Sequence, residues 1–214
     1  GDVQVTAAGM IATLGTRSYG IHAQSIGGGG GNSSATTVSV EGDRSSGDGS
    51  ANQAFNLEFA IGLEGGEGSA SGMVTVDHLG LTETSGASAH GIYAQSIGGG
   101  GGNGGAAIID RLSEIPNPFA GDSDSDGEYS LAVQIGGAGG TGAVSEQVAV
   151  TNTGTVLTFG TEANAIRALS IGGGGGDAGA AFNVETPGNA DSYSLGFAFG
   201  GRGGTGAAGG AVAV

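Results

Sequence analysis

The chain has no cysteine, no lysine and no tryptophan, and only three prolines in 214 residues. Without cysteine there is no disulfide framework and no thiolate to hold a metal, so stability must come from packing and hydrogen bonding. Basic residues are equally scarce. The five arginines (Arg17, Arg44, Arg111, Arg167 and Arg202) are scattered, against a net charge of −15. Phosphate backbones and anionic lipid surfaces need converging cations, so nucleic acid and membrane surfaces are poor candidate partners. No apolar run approaches the length of a membrane span. Leu, Ile, Val and Phe together make about one-fifth of the chain, the border at which acidic chains stop folding. The opening Gly1-Asp2-Val3 reads as an excised fragment of a longer protein, so missing targeting signals carry no weight.

Glycine, by contrast, fills 51 positions, and much of it is ordered into one phrase written three times. Gln24-Ser25-Ile26 precedes Gly27 to Gly31, Gln95-Ser96-Ile97 precedes Gly98 to Gly102, and Leu169-Ser170-Ile171 precedes Gly172 to Gly176. Five glycines cost much entropy to order, and a single run would read as a linker. Three runs behind the same lead-in read as repeated parts in which backbone approaches backbone. Two conformations suit such runs: extended β strand, or a polyglycine II-like threefold helix bundled with its neighbours. The β-branched flanks favour the strand. On that reading Gly100, central in the middle run, is a position where added volume is costly.

The repeat extends beyond the phrase. Val3-x-Val5 returns as Val74-x-Val76 and Val148-x-Val150, shifts of 71 and 74 residues. Gly9, Gly80 and Gly154 follow, then Thr13, Thr84 and Thr158, then Gly20-Ile21, Gly91-Ile92 and Ala165-Ile166. Each unit carries a second, looser glycine run behind Phe55-Asn56-Leu57, Tyr129-Ser130-Leu131 and Tyr193-Ser194-Leu195. The spacing of about 36 residues between runs places consecutive ones side by side. The chain is therefore read as one elongated repeat array over 1–214, with units 1–73, 74–147 and 148–214. Short β-branched stretches broken by Gly, Asn and Thr predict strands, and no stretch keeps a helical period free of glycine. In the lead-in the apolar phase switches at Gln24-Ser25, which predicts a bulge or corner there.

These residues carry a family resemblance. Val-x-Val, the spaced Gly and Thr, then Gly-Ile-x-Ala-Gln-Ser-Ile and the glycine run with Asn32 or Asn103, resemble the passenger repeats of large bacterial autotransporter adhesins. The resemblance implies an all-β fold: a repetitive, right-handed parallel β-solenoid with stacked poly-Gly segments and loop insertions. It implies a location outside the cell, on the bacterial surface, in a parent anchored in the outer membrane. It further implies a structural or adhesive role, mainly as a rigid stalk. The half-unit is longer than the family's common coil, so some half-units are expected as hairpins, such as Leu131 to Ile135 returning through Ala143 to Val150.

Other chemistry is thin. Gly137 to Gly142 and Gly201 to Gly206 match G-x-G-x-x-G without the helix that a dinucleotide site needs. His22, His78 and His90 lack metal-ligand spacing and read as exposed strand or turn positions. No catalytic residue and no cofactor site is assigned. Three variable stretches, 33–52, 104–128 and 178–191, read as loops on one face. They give the second reading, an adhesin module contacting a glycan or protein on a host or neighbouring cell. A glycan-active β-helix enzyme is the third. In the middle stretch Asp122, Asp124 and Asp126, followed by Gly127, have the spacing of a calcium loop, although the twelfth position is Val133 instead of glutamate.

Overall fold

The computed structural model describes residues 1–44, 53–111, 128–185 and 193–214. Its regular elements are all strands. Unit 1 holds β1 (Val3–Leu14), β2 (Ile21–Ile26), β3 (Ala35–Arg44) and β4 (Gln53–Gly62). Unit 2 holds β5 (Val74–Ser85), β6 (Ile92–Ile97), β7 (Ala107–Arg111) and β8 (Glu128–Ile135). Unit 3 holds β9 (Val148–Asn152), β10 (Thr155–Phe159), β11 (Ile166–Ile171), β12 (Ala181–Glu185) and β13 (Tyr193–Phe199), and β14 (Val212–Ala213) follows.

Equivalent strands of successive units pair in parallel and in register. Val3 faces Val74, which faces Val148, which faces Val212. Ile21, Ile92 and Ile166 form a second row, and Tyr129 faces both Phe55 and Tyr193 in a third. The apolar parity of Val-x-Val and Ile-x-Ala turns Val74, Val76, Ile92, Ala94, Val148 and Val150 into one buried cluster. Within each Val-bearing half a six-residue turn is closed by the repeated threonine. Thr13, Thr84 and Thr158 donate their hydroxyls to the carbonyls of Ser18, Ala89 and Ala163 at 2.7, 2.6 and 3.1 Å.

The expected right-handed parallel β-solenoid is not what forms. The described strands make four separate sheets, one of them mixed, and the glycine segments that join them carry no strand. Their hydrogen bonds follow a three-residue period instead. The N–H groups of Gly98, Gly101 and Gly104 donate to Ile171, Gly174 and Asp177 in the next unit's equivalent run. Those of Gly99, Gly102 and Gly105 donate to Ser69, Gly66 and Leu63 in the preceding unit's second run. A zigzag of backbone bonds then crosses the molecule, from Gly66 to Gly31, Gly102 to Gly66, Gly140 to Gly102, Gly176 to Gly140 and Gly204 to Gly176, each 2.8 or 2.9 Å. A strand pairs only with two neighbours in one plane. A threefold glycine chain offers its N–H groups around its axis and so satisfies a two-layer lattice. This overturns the extended-strand reading of the runs.

The same period reassigns Gly100. A Cβ on Gly100 would meet nothing closer than the Gly174 carbonyl at 3.6 Å, because every third residue points outward. On Gly98, Gly99, Gly101 and Gly102 a Cβ would overlap a neighbouring carbonyl outright. The second run shows the period in its letters. Glu64, Glu67 and Ala70 stand at outward positions, as do Ala138, Thr141 and Val144, with glycine, serine or alanine between them.

Two local expectations also change. No bulge interrupts β2: Ile21, Ala23 and Ser25 are all buried along one face, and Ile26 turns outward. The buried serine is a joint. Ser25 Oγ accepts from Gly72 N–H at 2.8 Å and donates to the Gly1 carbonyl, while Ser96 and Ser170 bind Ser71 and Ser145 at 2.7 Å. The hairpin from Leu131 to Val150 is likewise absent, since β8 runs parallel between β4 and β13. The hairpin lies in unit 1, where β3 and β4 pair antiparallel from Ala35 opposite Gly62 to Arg44 opposite Gln53.

Candidate functional site

The densest cluster of polar and aromatic side chains among the described residues joins the three units at the turn that opens each lead-in. Register stacks His22, Tyr93 and Arg167 in one row, and Tyr19 and His90 lie beside it. The Tyr19 ring stacks on His90 at 5.4 Å and on Tyr93 at 5.3 Å, with planes 7° and 11° apart. His22 meets both tyrosines edge-on, and the Arg167 guanidinium sits 5.7 Å from the Tyr93 centroid. Aromatic pairs and a cation over a ring each add modest stability beyond area burial.

The reading of the histidines as exposed holds for His22 alone. His90 and His78 are buried. Asn164 N–H donates to His90 Nδ1 at 3.0 Å, which puts the neutral ring's proton on Nε2. At His78 the pattern is reversed. The Asn152 amide is fixed by its own bonds to Gly154, so Nδ1–H donates to its oxygen at 2.7 Å and Nε2 accepts from the Thr82 hydroxyl at 3.0 Å. The signal missed in the sequence was the row itself: residues sharing a register position stack on one another, whatever their polarity.

Burial, and then the charge of Arg167, hold the His90 pKa below the ordinary histidine value of 6.5. Unfolding therefore takes up a proton in mildly acidic solution. Stability from this group is complete above about pH 6.5 and is lost as pH falls toward the folded pKa. The melting temperature should drop across that window. In His90→Asn, which copies Asn164, the drop should be smaller, and comparing the two pH profiles by circular dichroism checks it. Parallel profiles would remove His90 from the account.

The remaining candidates resolve plainly. Asp122, Asp124 and Asp126, the calcium candidates, lie outside the described residues. Among the described residues no group of three or more His, Asp or Glu converges as a metal site. The two G-x-G-x-x-G matches are lattice segments. Gly137, Gly139, Gly140 and Gly142 donate their N–H groups to Gly105, Arg202, Gly102 and Thr205, so none is free to cradle a phosphate. The variable stretches begin as strands: β3, β7 and β12 occupy their first residues, and β7 pairs with β12.

One surface was not foreseen. On the sheet formed by β4, β8 and β13 the large side chains face outward and the small ones inward. Ala60 and Ala132 are buried, with Gln134 the one long side chain among the described buried inward positions, whereas Phe59, Tyr129, Tyr193, Leu195, Phe197 and Phe199 are 40 to 67% exposed. Tyr129 and Tyr193 stack at 5.6 Å. Among the described residues nothing covers this face, and contiguous exposed apolar patches often mark contact sites. No family model, no curated protein and no solved structure matches this chain.

Proposed function

We propose that this chain is a structural segment of a surface-exposed bacterial protein of the autotransporter-adhesin kind, and that it serves mainly as a stiff spacer. The observation that carries the reading is the unit-to-unit register. Val, Ile and aromatic rows, serine joints and glycine lattice all link each unit to the next, so load passes through many parallel backbone bonds at once. Arrays in which each unit contacts only its neighbours gain stability unit by unit, as a spacer requires. The location on the cell surface rests on the family resemblance.

A second reading, a contact module for a glycan or protein of another cell, is favoured by the exposed aromatic face of β8 and β13. The two separate in one experiment. Beads coated with the 214-residue chain are presented to cultured cells and to immobilised polysaccharides. A spacer leaves bead retention at the level of uncoated beads. Retention that falls to background in Tyr129→Ser, Tyr193→Ser would replace the spacer reading with the contact module.

A further inference from the structure

The layer made by the three five-glycine runs has an inner side, bonded to the second runs, and an outer side. A threefold chain aims one N–H and one carbonyl per turn at each pair of neighbours. In the middle unit Gly98 and Gly101 donate to the next unit, and Gly99 and Gly102 donate to the second run of the preceding one. Gly100 donates to nothing among the described residues, and neither do its counterparts Gly29 and Gly174. The carbonyls of Gly98 and Gly101 likewise accept nothing there. These groups lie on the broad side of the stack and recur in every unit, so they do not depend on where the stack stops.

One row of the same side shows what such an N–H takes when an acceptor is within reach. The outward N–H of Asn103 donates to Asn32 Oδ1 in the preceding unit, and that of Asp177 donates to Asn103 Oδ1, each at 2.9 Å. An amide oxygen therefore fills the seat one turn away from Gly100. At Gly100 no oxygen fills it, because the residue of the preceding unit is Gly29. The fold does not require glycine in this row. A Cβ on Gly29 or Gly100 would meet only a carbonyl at 3.8 or 3.6 Å, and one on Gly174 would meet nothing within 4 Å. The outward positions of the second runs are different, since Glu67, Thr141 and Thr205 fill one row with side chains. Bare backbone is thus exposed on one side of the lattice. Apart from Asp177, its outward rows of isoleucine, glycine and asparagine carry no charge, in a chain of net charge −15.

We propose that this side binds the same side of a second copy of the chain, backbone to backbone. Unpaired rows of N–H and C=O are what ordinarily template such pairing. The two layers within the chain supply the geometry. They run antiparallel, with Gly99 opposite Ser69 and Gly102 opposite Gly66, and they are staggered by half a unit, so that Gly66 bonds both Gly31 and Gly102. A second copy rotated by half a turn about the stacking axis presents an antiparallel layer of identical spacing. With the same stagger, Gly100 N–H donates to a Gly101 carbonyl of the second copy, whose Gly100 donates to a Gly101 carbonyl in return. The Ile97 row then lies over the second copy's Asn103 row, and the bare glycine rows meet in the middle. Each copy has one such side, so association stops at a pair. Three units offer a small area, and the pair forms only at high concentration. This goes beyond the spacer reading, since it concerns how two copies lie side by side.

Sedimentation of the wild-type chain up to about 1 mM should show mean mass rising toward twice that of one chain. The combined variant Gly29→Ala, Gly100→Ala, Gly174→Ala should keep the wild-type melting temperature and sediment as one chain throughout. Thr141→Ala, on the other side of the lattice, should associate like the wild type. A wild-type mass that stays at one chain, a triple variant that still associates, or loss of association in Thr141→Ala overturns the proposal. A second measurement reads the register, and the absence of cysteine makes it clean. When single-site Ile97→Cys and Asn103→Cys copies are mixed and oxidised, mixed disulfides should outnumber the matched ones. Statistical pairing would overturn the antiparallel contact.

Discussion

Gly101→Ala is expected to unfold the middle of the stack, and Gly100→Ala is expected to leave the melting temperature nearly unchanged. The two positions are neighbours in one run of five identical residues, so propensity and unfolded-state entropy are the same for both. Only direction differs. A methyl group on Gly101 would overlap the Gly140 carbonyl, and Gly176 N lies 3.0 Å away, so backbone would have to separate from backbone. Gly140 is itself held by bonds to Gly102 and Gly176 and cannot yield alone. Overpacked cores ordinarily lose about 1–3 kcal/mol, and a lattice with no flexible side chain to move should lose at least the upper figure. On Gly100 the methyl group meets only the Gly174 carbonyl at 3.6 Å, an ordinary contact. Thermal unfolding of the two variants is the measurement. Equal melting temperatures would mean that the run is a loose linker.

Gln134→Met is expected to stabilise the chain. Gln134 is fully buried on the inward face of β8, level with Ala60 and Ala198, and neither Oε1 nor Nε2 has a partner among the described residues. An unpaired buried amide costs about 1–3 kcal/mol in mutational data, and methionine keeps the volume without the polar atoms. The gain should raise the melting temperature by several degrees, at about 2–4 °C per kcal/mol for a chain of this size. Gln134→Ala, which restores the residue of the sister units, should gain less, because it opens a cavity. A lower melting temperature in Gln134→Met would show that the amide is paired in solution.

The fold was legible where side chains repeat and obscure where they do not. The shifts from Val3 to Val74 to Val148 are the pairing register itself, because a parallel row needs equivalent residues at equivalent heights. The conformation of the glycine runs had no such marker. Gly98 to Gly102 look alike in any period, and the period became readable only in the looser runs, where Glu64, Glu67 and Ala70 mark every third place. The bulge or corner expected at Gln24-Ser25 does not interrupt β2, because polarity misleads there: Ser25 is buried with its hydroxyl bonded to the Gly72 and Gly1 backbone. The exposed aromatic face and the position of β3 were illegible for a tertiary reason. Alternation along Tyr129-Ser130-Leu131 fixes that two faces exist, and not which one meets the protein. The expected parallel solenoid does not form, since the described strands make four separate sheets joined by glycine segments that carry no strand.

The lattice has a consequence for heat capacity. Exposing apolar surface on unfolding raises heat capacity and exposing polar surface lowers it. Among the described residues much of what this molecule hides is peptide backbone held by peptide backbone, with few large side chains in the two buried apolar clusters. Its unfolding should therefore carry a small heat-capacity increment per residue. The stability curve of such a chain is weakly curved, close to a straight line that rises steadily on cooling from the melting temperature. A chain built this way is held back from cold denaturation, which an oil-like core invites through its strong curvature.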